Sequence, residues 1–254
     1  MCNRITKETS SFDLEGTHEN KFRTFSLIEL IVLKMLNLGD EFPNFKADTT
    51  VGQIQFHDWI GDSWAILFSH PSDFTPVCTT ELGRLANLTS EFEKRGVKII
   101  ALSCDPVDSH QKWIQDIKSY AKHSGEGFPY PIIADDSRKL AVNLGMLDPL
   151  EKDKDGLPLT CRAVFIIGPD KKLRLSMLYP ATTGRNFDEI LRVVDSLQLT
   201  ETKKVATPAD WKSGGTCMVL PTLKEEEANA LFPKGFSVVN LPSGKPYLRI
   251  TPQP

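Results

Sequence analysis

The feature that most constrains this chain is "VKIIALSC", residues 97–104. A continuous apolar run rich in β-branched residues is the signature of a strand buried on both faces. Helical patterns stand on either side of it. Leu82, Leu85, Leu88 and Phe92 recur at helical spacing within about 76–95, and Trp113, Ile114, Ile117 and Tyr120 do so within 107–123. Strands alternating with helices mean an α/β layer fold.

The rest of the pattern agrees. Short strands are predicted at roughly 53–57 and 64–69, around a Gly61-Asp62-Ser63 turn. "YPIIAD" (130–135) is another short strand, and "SRKLAVNLGM" (137–146) is a helix stopped at Gly145. "RAVFIIG" and "KLRLSMLYP" read as adjacent strands around a Pro169-Asp170-Lys171-Lys172 hairpin turn, which makes the sheet mixed. "NFDEILRVVDSLQL" (186–199) is an amphipathic helix opened by Asn186. After Leu199 the chain turns rich in proline and glycine, and only "KEEEANALF" (224–232) looks helical. Residues 200–254 are too short for a core of their own. They are expected to form an arm or small subdomain lying on the main domain (35–199) or on a second subunit.

Residues 1–34 read as an extension outside the core, with Met35 an alternative start. Its apolar run "FSLIELIVLKML" is too short and too charged to span a bilayer. It lacks the layout of a signal peptide, and its acids balance its bases, unlike a transit peptide. A net charge of -3 gives no electrostatic reason to expect nucleic acid. The five cysteines (Cys2, Cys78, Cys104, Cys161, Cys217) form no C-x-x-C pair and no zinc-ligand spacing. Their odd, scattered placing argues against a disulfide framework and for a reducing compartment. We expect a cytoplasmic protein, with an organelle left open by the extension. Thr207-Pro208 fits a proline-directed kinase site and equally the start of a loop.

The chemistry gathers in "FSHPSDFTPVCTTELGRL", residues 68–85. Thr75 is a good N-cap, and Pro76 is favoured in the first turn because its missing N–H would go unbonded anyway. Cys78 then lies in the first turn, where free N–H groups and the positive helix end stabilise negative charge. A thiolate is such a charge, so a nucleophilic sulfur titrating below the free value of about 8.5 is expected. A buried, inert cysteine is the alternative.

This segment resembles the active-site segment of the peroxiredoxins, whose signature Pro-x-x-x-Thr-x-x-Cys is met by Pro71, Thr75 and Cys78. The residues Val77-Cys78-Thr79-Thr80-Glu81-Leu82 resemble the one-cysteine, peroxiredoxin-6-type branch, as do "GMLDP" (145–149), "GPDKKL" (168–173), "LYPATTGRNFDEILRV" (178–193) and "ATPADWK" (206–212). The resemblance implies a thioredoxin-like mixed sheet flanked by helices and a thiol peroxidase without a cofactor or metal. It makes Cys78 the peroxidatic cysteine, with Thr75 hydrogen-bonding the thiolate and the peroxide. Pro71 shields the sulfur, Arg162 holds the thiolate and polarises the peroxide, Glu81 orients an arginine, and His70 supports the sulfur. Its substrates would be hydrogen peroxide and organic or lipid hydroperoxides.

Two-cysteine relatives carry a resolving cysteine in a Val-Cys-Pro context, and Cys217 lies instead in Gly215-Thr216-Cys217-Met218. A one-cysteine cycle follows, with an external thiol such as glutathione as reductant, a glutathione transferase as a candidate partner and a homodimer as the expected assembly. The competing class is a redox-sensing or holdase protein in which Cys78 oxidises but scarcely turns over. The branch is also credited with a phospholipase A2-like activity on Ser, His and Asp, which map to Ser63, His57 and Asp170. "GDSWA" (61–65) resembles the lipase pattern Gly-x-Ser-x-Gly but has Ala65 where the last glycine would allow a sharp turn. A phospholipid-binding surface without turnover is the other reading of these residues.

Overall fold

The computed structural model describes residues 36–254. The 1–34 extension and the start at Met35 lie outside the described residues. In chain order the main layer contains β1 (Lys46–Thr49), β2 (Gly52–Gln55), α1 (Phe56–Ile60), β3 (Trp64–Ser69), α2 (Pro76–Glu93), β4 (Val97–Ser103), α3 (Val107–Ala121), β5 (Ile132–Ala134) and α4 (Lys139–Asn143). There follow β6 (Leu147–Lys152), β7 (Pro158–Thr160), β8 (Arg162–Ile167), β9 (Leu173–Tyr179) and α5 (Phe187–Thr202). The tail adds β10 (Val205–Ala206), β11 (Cys217–Val219), α6 (Glu225–Leu231), β12 (Ser237–Val238) and β13 (Arg249–Thr251).

Seven strands form one sheet in the order β2-β1-β5-β4-β3-β8-β9. β4 pairs in parallel with β3 and β5, while β8 joins β3 and β9 antiparallel, so the sheet is mixed. The central strands are largely apolar because both faces are covered. Ile66, Phe68, Ile99 and Ala101 pack with Leu82 and Leu85 of α2, Trp113 and Ile117 of α3, and Ile190 of α5. The alternate residues Ala65, Leu67, Ile100 and Leu102 pack on the other face with Phe42, with Phe56 and Ile60 of α1 and with Ala141 of α4. Gly145 closes α4 at φ 64°, a left-handed turn that glycine adopts without strain.

Three local expectations are corrected. The strand read at 53–57 ends at Gln55, and its last residues belong to α1. Phe56 and Ile60 are both buried, and their four-residue spacing serves one helical face. β2 accordingly pairs with β1 and not with β3. Tyr120 shares the spacing of the α3 core residues yet stays 59% exposed, lying against Gly83 of α2. The tail, read as too short for a core, has one: Val205, Trp211, Cys217, Val219, Ala228 and Phe232 cluster over the four-stranded sheet β10-β11-β13-β12. The neighbouring α5 makes this possible by lending Leu199 to the cluster and the Ser196 hydroxyl to Thr207, at 2.6 Å.

Candidate active site

The site is built where β3 hands over to α2. Thr75 is extended (φ -114°, ψ 149°) and Pro76 opens the helix. Cys78 follows in the first turn and is fully buried. The expected side-chain cap is not made: the Thr75 hydroxyl donates to the Ser72 carbonyl at 2.9 Å, so its single proton is turned to the loop and not to the sulfur. Pro71 is buried beside this loop. Phe74, just before the helix, is exposed and held at φ 54°, a left-handed conformation uncommon for a bulky residue.

Arg162, the first residue of β8, brings Nη1 to 3.3 Å from the Cys78 sulfur. The same Nη1 donates to Glu81 Oε2 at 2.9 Å, one turn along α2, while Nε donates to the Ala181 carbonyl at 2.9 Å. Glu81 also accepts from Arg185: from its backbone N–H (2.7 Å), Nε (3.0 Å) and Nη2 (2.7 Å). Glu81, Arg162 and Arg185 are all buried. Burial alone would push the Glu81 carboxyl up, but the charge and hydrogen bonds of Arg185, with the charge of Arg162, hold it below its ordinary range. The guanidinium at the sulfur is thereby fixed by a carboxylate that is itself fixed.

The remaining cysteines sit in different surroundings. Burial pushes the Cys104 thiol up to about 12 and the Cys161 thiol to about 11. Burial also raises Cys217, which lies in the tail cluster. A thiol that resists ionisation is a poor nucleophile.

His70 is buried and its Nε2 meets Asp73 Oδ1 at 2.9 Å. Asp73 Oδ2 faces His110 Nδ1 at 2.8 Å and accepts from the Ser109 hydroxyl at 2.7 Å. These two histidines and Asp73 offer atoms within 4.8 Å of one another. Their facing atoms are hydrogen-bonded to one another.

The lipase-like residues make these contacts. His57 directs Nε2 to the Phe42 carbonyl at 2.7 Å. Asp170 pairs with Arg174 at 2.9 Å and accepts the Lys172 N–H. Ser63 lines an open cleft of about 720 Å³ with Trp64, Arg95 and Gln198. No described hydrogen bond joins Ser63 to His57 or His57 to Asp170.

Sequence reading passed over Arg185, Asp73 and His110. Arg185 stands within "TTGRNF", and nothing local marks it as the second arginine on Glu81. Asp73 and His110 are 37 residues apart and meet only because α3 packs beside the loop before α2.

A mixed sheet with a buried cysteine in the first turn of a helix, under a carboxylate-braced arginine, defines a thiol enzyme of the thioredoxin-like class. Comparison with known proteins narrows this. Residues 38–176 match the AhpC/TSA family and residues 196–235 the C-terminal domain of 1-Cys peroxiredoxin. The chain is 70% identical to peroxiredoxin-6 of Gallus gallus and 66% identical to that of Homo sapiens, in each case over 220 residues covering 86% of this chain and 98% of the relative. The crystal structure of a cysteine-to-serine mutant of the peroxiredoxin 6 of Arenicola marina superposes with a TM-score of 0.84 at 64% identity, covering 86% of this chain and 99% of that one. A yeast mitochondrial 1-Cys peroxiredoxin gives 0.78 at 48% identity, covering 86% and 100%. The chain belongs to the peroxiredoxins, in their one-cysteine branch, and is a thiol peroxidase that reduces peroxides at the expense of thiols.

Proposed function

We propose that Cys78 is the sulfur that attacks the peroxide, in a one-cysteine cycle completed by glutathione. The observation that carries this is the 3.3 Å approach of Arg162 Nη1 to the Cys78 sulfur. The thiolate attacks the terminal peroxide oxygen and the O–O bond breaks. Cys78 becomes a sulfenic acid, and the leaving oxygen takes a proton to become an alcohol or water. A fixed guanidinium stabilises both the attacking anion and the oxygen that gains charge. An external thiol then displaces the sulfenic hydroxyl as water, and a second thiol releases Cys78 with formation of a disulfide.

Burial disfavours the thiolates of Cys104, Cys161 and Cys217, which supports resolution from outside. The yeast relative is described as resolved through glutathione and thioredoxin systems. Steady-state turnover with hydrogen peroxide and glutathione, with and without a glutathione transferase, tests the reading. Cys78→Ser should abolish turnover and Cys217→Ser should leave it nearly intact. A Cys78–Cys217 crosslink on a non-reducing gel would overturn the one-cysteine cycle.

A phospholipase A2-like activity at Ser63 takes second place. The open cleft beside Ser63 favours a bound phospholipid, but His57 and Asp170 are engaged elsewhere. Ester hydrolysis on phosphatidylcholine vesicles that vanishes in Ser63→Ala would promote it. We assign the working assembly as a homodimer, consistent with exposed apolar residues such as Phe74, Leu150 and Tyr247. A monomer mass in sedimentation equilibrium would remove that assignment.

A further inference from the structure

His70 follows the last residue of β3, two positions after Phe68. Side chains two apart along a strand share a face, and Phe68, Cys78 and Trp113 belong to one apolar cluster. The His70 ring packs on Trp113 with centroids 5.1 Å apart. Trp113 donates Nε1–H to the hydroxyl of Thr79, the neighbour of Cys78, at 3.2 Å. The imidazole is thus enclosed on the same side of the sheet as the sulfur.

The hydrogen bonds around it fix its proton. The Asp73 carboxyl is buried, yet hydrogen bonds from His110 and His70 hold it well below the usual carboxylate range. An ionised carboxylate only accepts. Both histidines therefore turn an N–H toward Asp73, His70 through Nε2 (2.9 Å) and His110 through Nδ1 (2.8 Å). His110 Nε2 lies 3.1 Å from the Ile133 carbonyl, so both ring nitrogens of His110 face acceptors. Burial lowers the proton affinity of His70, against the hydrogen bond and charge of Asp73 and the charge of Asp105, and with the charge of His110. His70 is then neutral near pH 7, and its buried Nδ1, which has no partner, holds a lone pair.

We propose that Asp73, braced by Ser109 and His110, is a positioning residue for peroxide reduction. It locks the His70 proton on Nε2 and so presents Nδ1 as an acceptor for an O–H group at the Cys78 site, that of the hydroperoxide or of the sulfenic acid. This rests on Cys78 being the reacting sulfur. Turnover that survives in Cys78→Ser would remove that premise separately.

The test compares two reagents on the same sulfur in the full chain. Hydrogen peroxide carries O–H groups; methyl methanethiosulfonate carries neither O–H nor N–H. Asp73→Ala should slow peroxide oxidation about tenfold, the worth of roughly one hydrogen bond, and leave thiolation within about twofold. His110→Gln, whose amide still donates to Asp73, should retain more of the oxidation rate than His110→Ala. Equal loss with both reagents, or no loss with either, would overturn the proposal. Should Asp73→Ala fail to fold, the ring ¹⁵N spectrum of the wild-type chain decides, with the His70 signals assigned by their loss in His70→Gln. A proton on Nε2 and none on Nδ1 supports the proposal; a proton on Nδ1 refutes it.

Discussion

Glu81 meets three N–H groups of Arg185 and one of Arg162. Such a pair is not a large source of net stability, but removing one member leaves charge buried without compensation, at about 3–5 kcal/mol. The same residues set the response to acid. Glu81 and Asp73 have lowered folded values, so their stabilisation is present above the ordinary carboxylate range and is lost as pH falls through it. Burial lowers His70 from its ordinary 6.5, so the unfolded chain takes up that proton first, and stability is lost as pH falls below 6.5. The urea midpoint should therefore decline in two stages, one below about 6.5 and one in the carboxylate range. His70→Gln should remove the first stage and Glu81→Gln should diminish the second. A wild-type midpoint that stays flat between roughly pH 7.5 and 5.5 would contradict the His70 assignment. Cys78, Glu81 and Arg162 were legible because helix position and family motif mark them. Arg185, Asp73 and His110 were not, since only tertiary packing joins them to their partners.

At the scale of elements, α5 ties the site to the tail. Asn186 caps it, accepting from the backbone N–H groups of Asp188 and Glu189. Arg185 stands one residue before the cap, so the cap also holds the second arginine of the site. Asn186→Ala should cost about 1 kcal/mol in urea denaturation, and a loss within experimental error would show the cap to be redundant. The long elements were readable because burial imposes a period: α2, α3 and α5 each carry an apolar face, and β4 is apolar on both sides. The short ones were not. β1, "KADT", buries only Ala47 and Thr49, and it is held as a strand by pairing with β2 and with β5 about 85 residues away. The tail strands are two or three residues long, too short for alternation to register.

At the scale of the whole molecule, residues 35–254 form one compact unit, and its relatives match over 220 residues. The three apolar clusters of this unit join all its long helices to its sheets. A chain starting at Met35 should keep its unfolding midpoint and its peroxide rate within about twofold, because the family match begins at residue 38. A loss of about tenfold, roughly 1.4 kcal/mol in the barrier, would make the extension part of the enzyme. Loss of the tail is expected to be felt further. Leu199 sits in the tail's cluster, and Arg192 of the same helix donates to the Trp211 carbonyl at 3.3 Å.

The buried arginines have a consequence for electroneutrality. Arg162 and Arg185 carry two positive charges against the single negative charge of Glu81. A thiolate at Cys78 brings the sum to zero. A sulfenic acid is uncharged and leaves one cation unbalanced, whereas the further-oxidised sulfinate restores the balance. The pocket's own charge count thus favours overoxidation over the intermediate that precedes it. Substitution can probe the count without oxidant. Burying a carboxylate ordinarily costs far more than burying an amide, yet here Cys78→Asp should unfold at a higher urea concentration than Cys78→Asn at neutral pH. The opposite order would mean that another anion already supplies the missing charge.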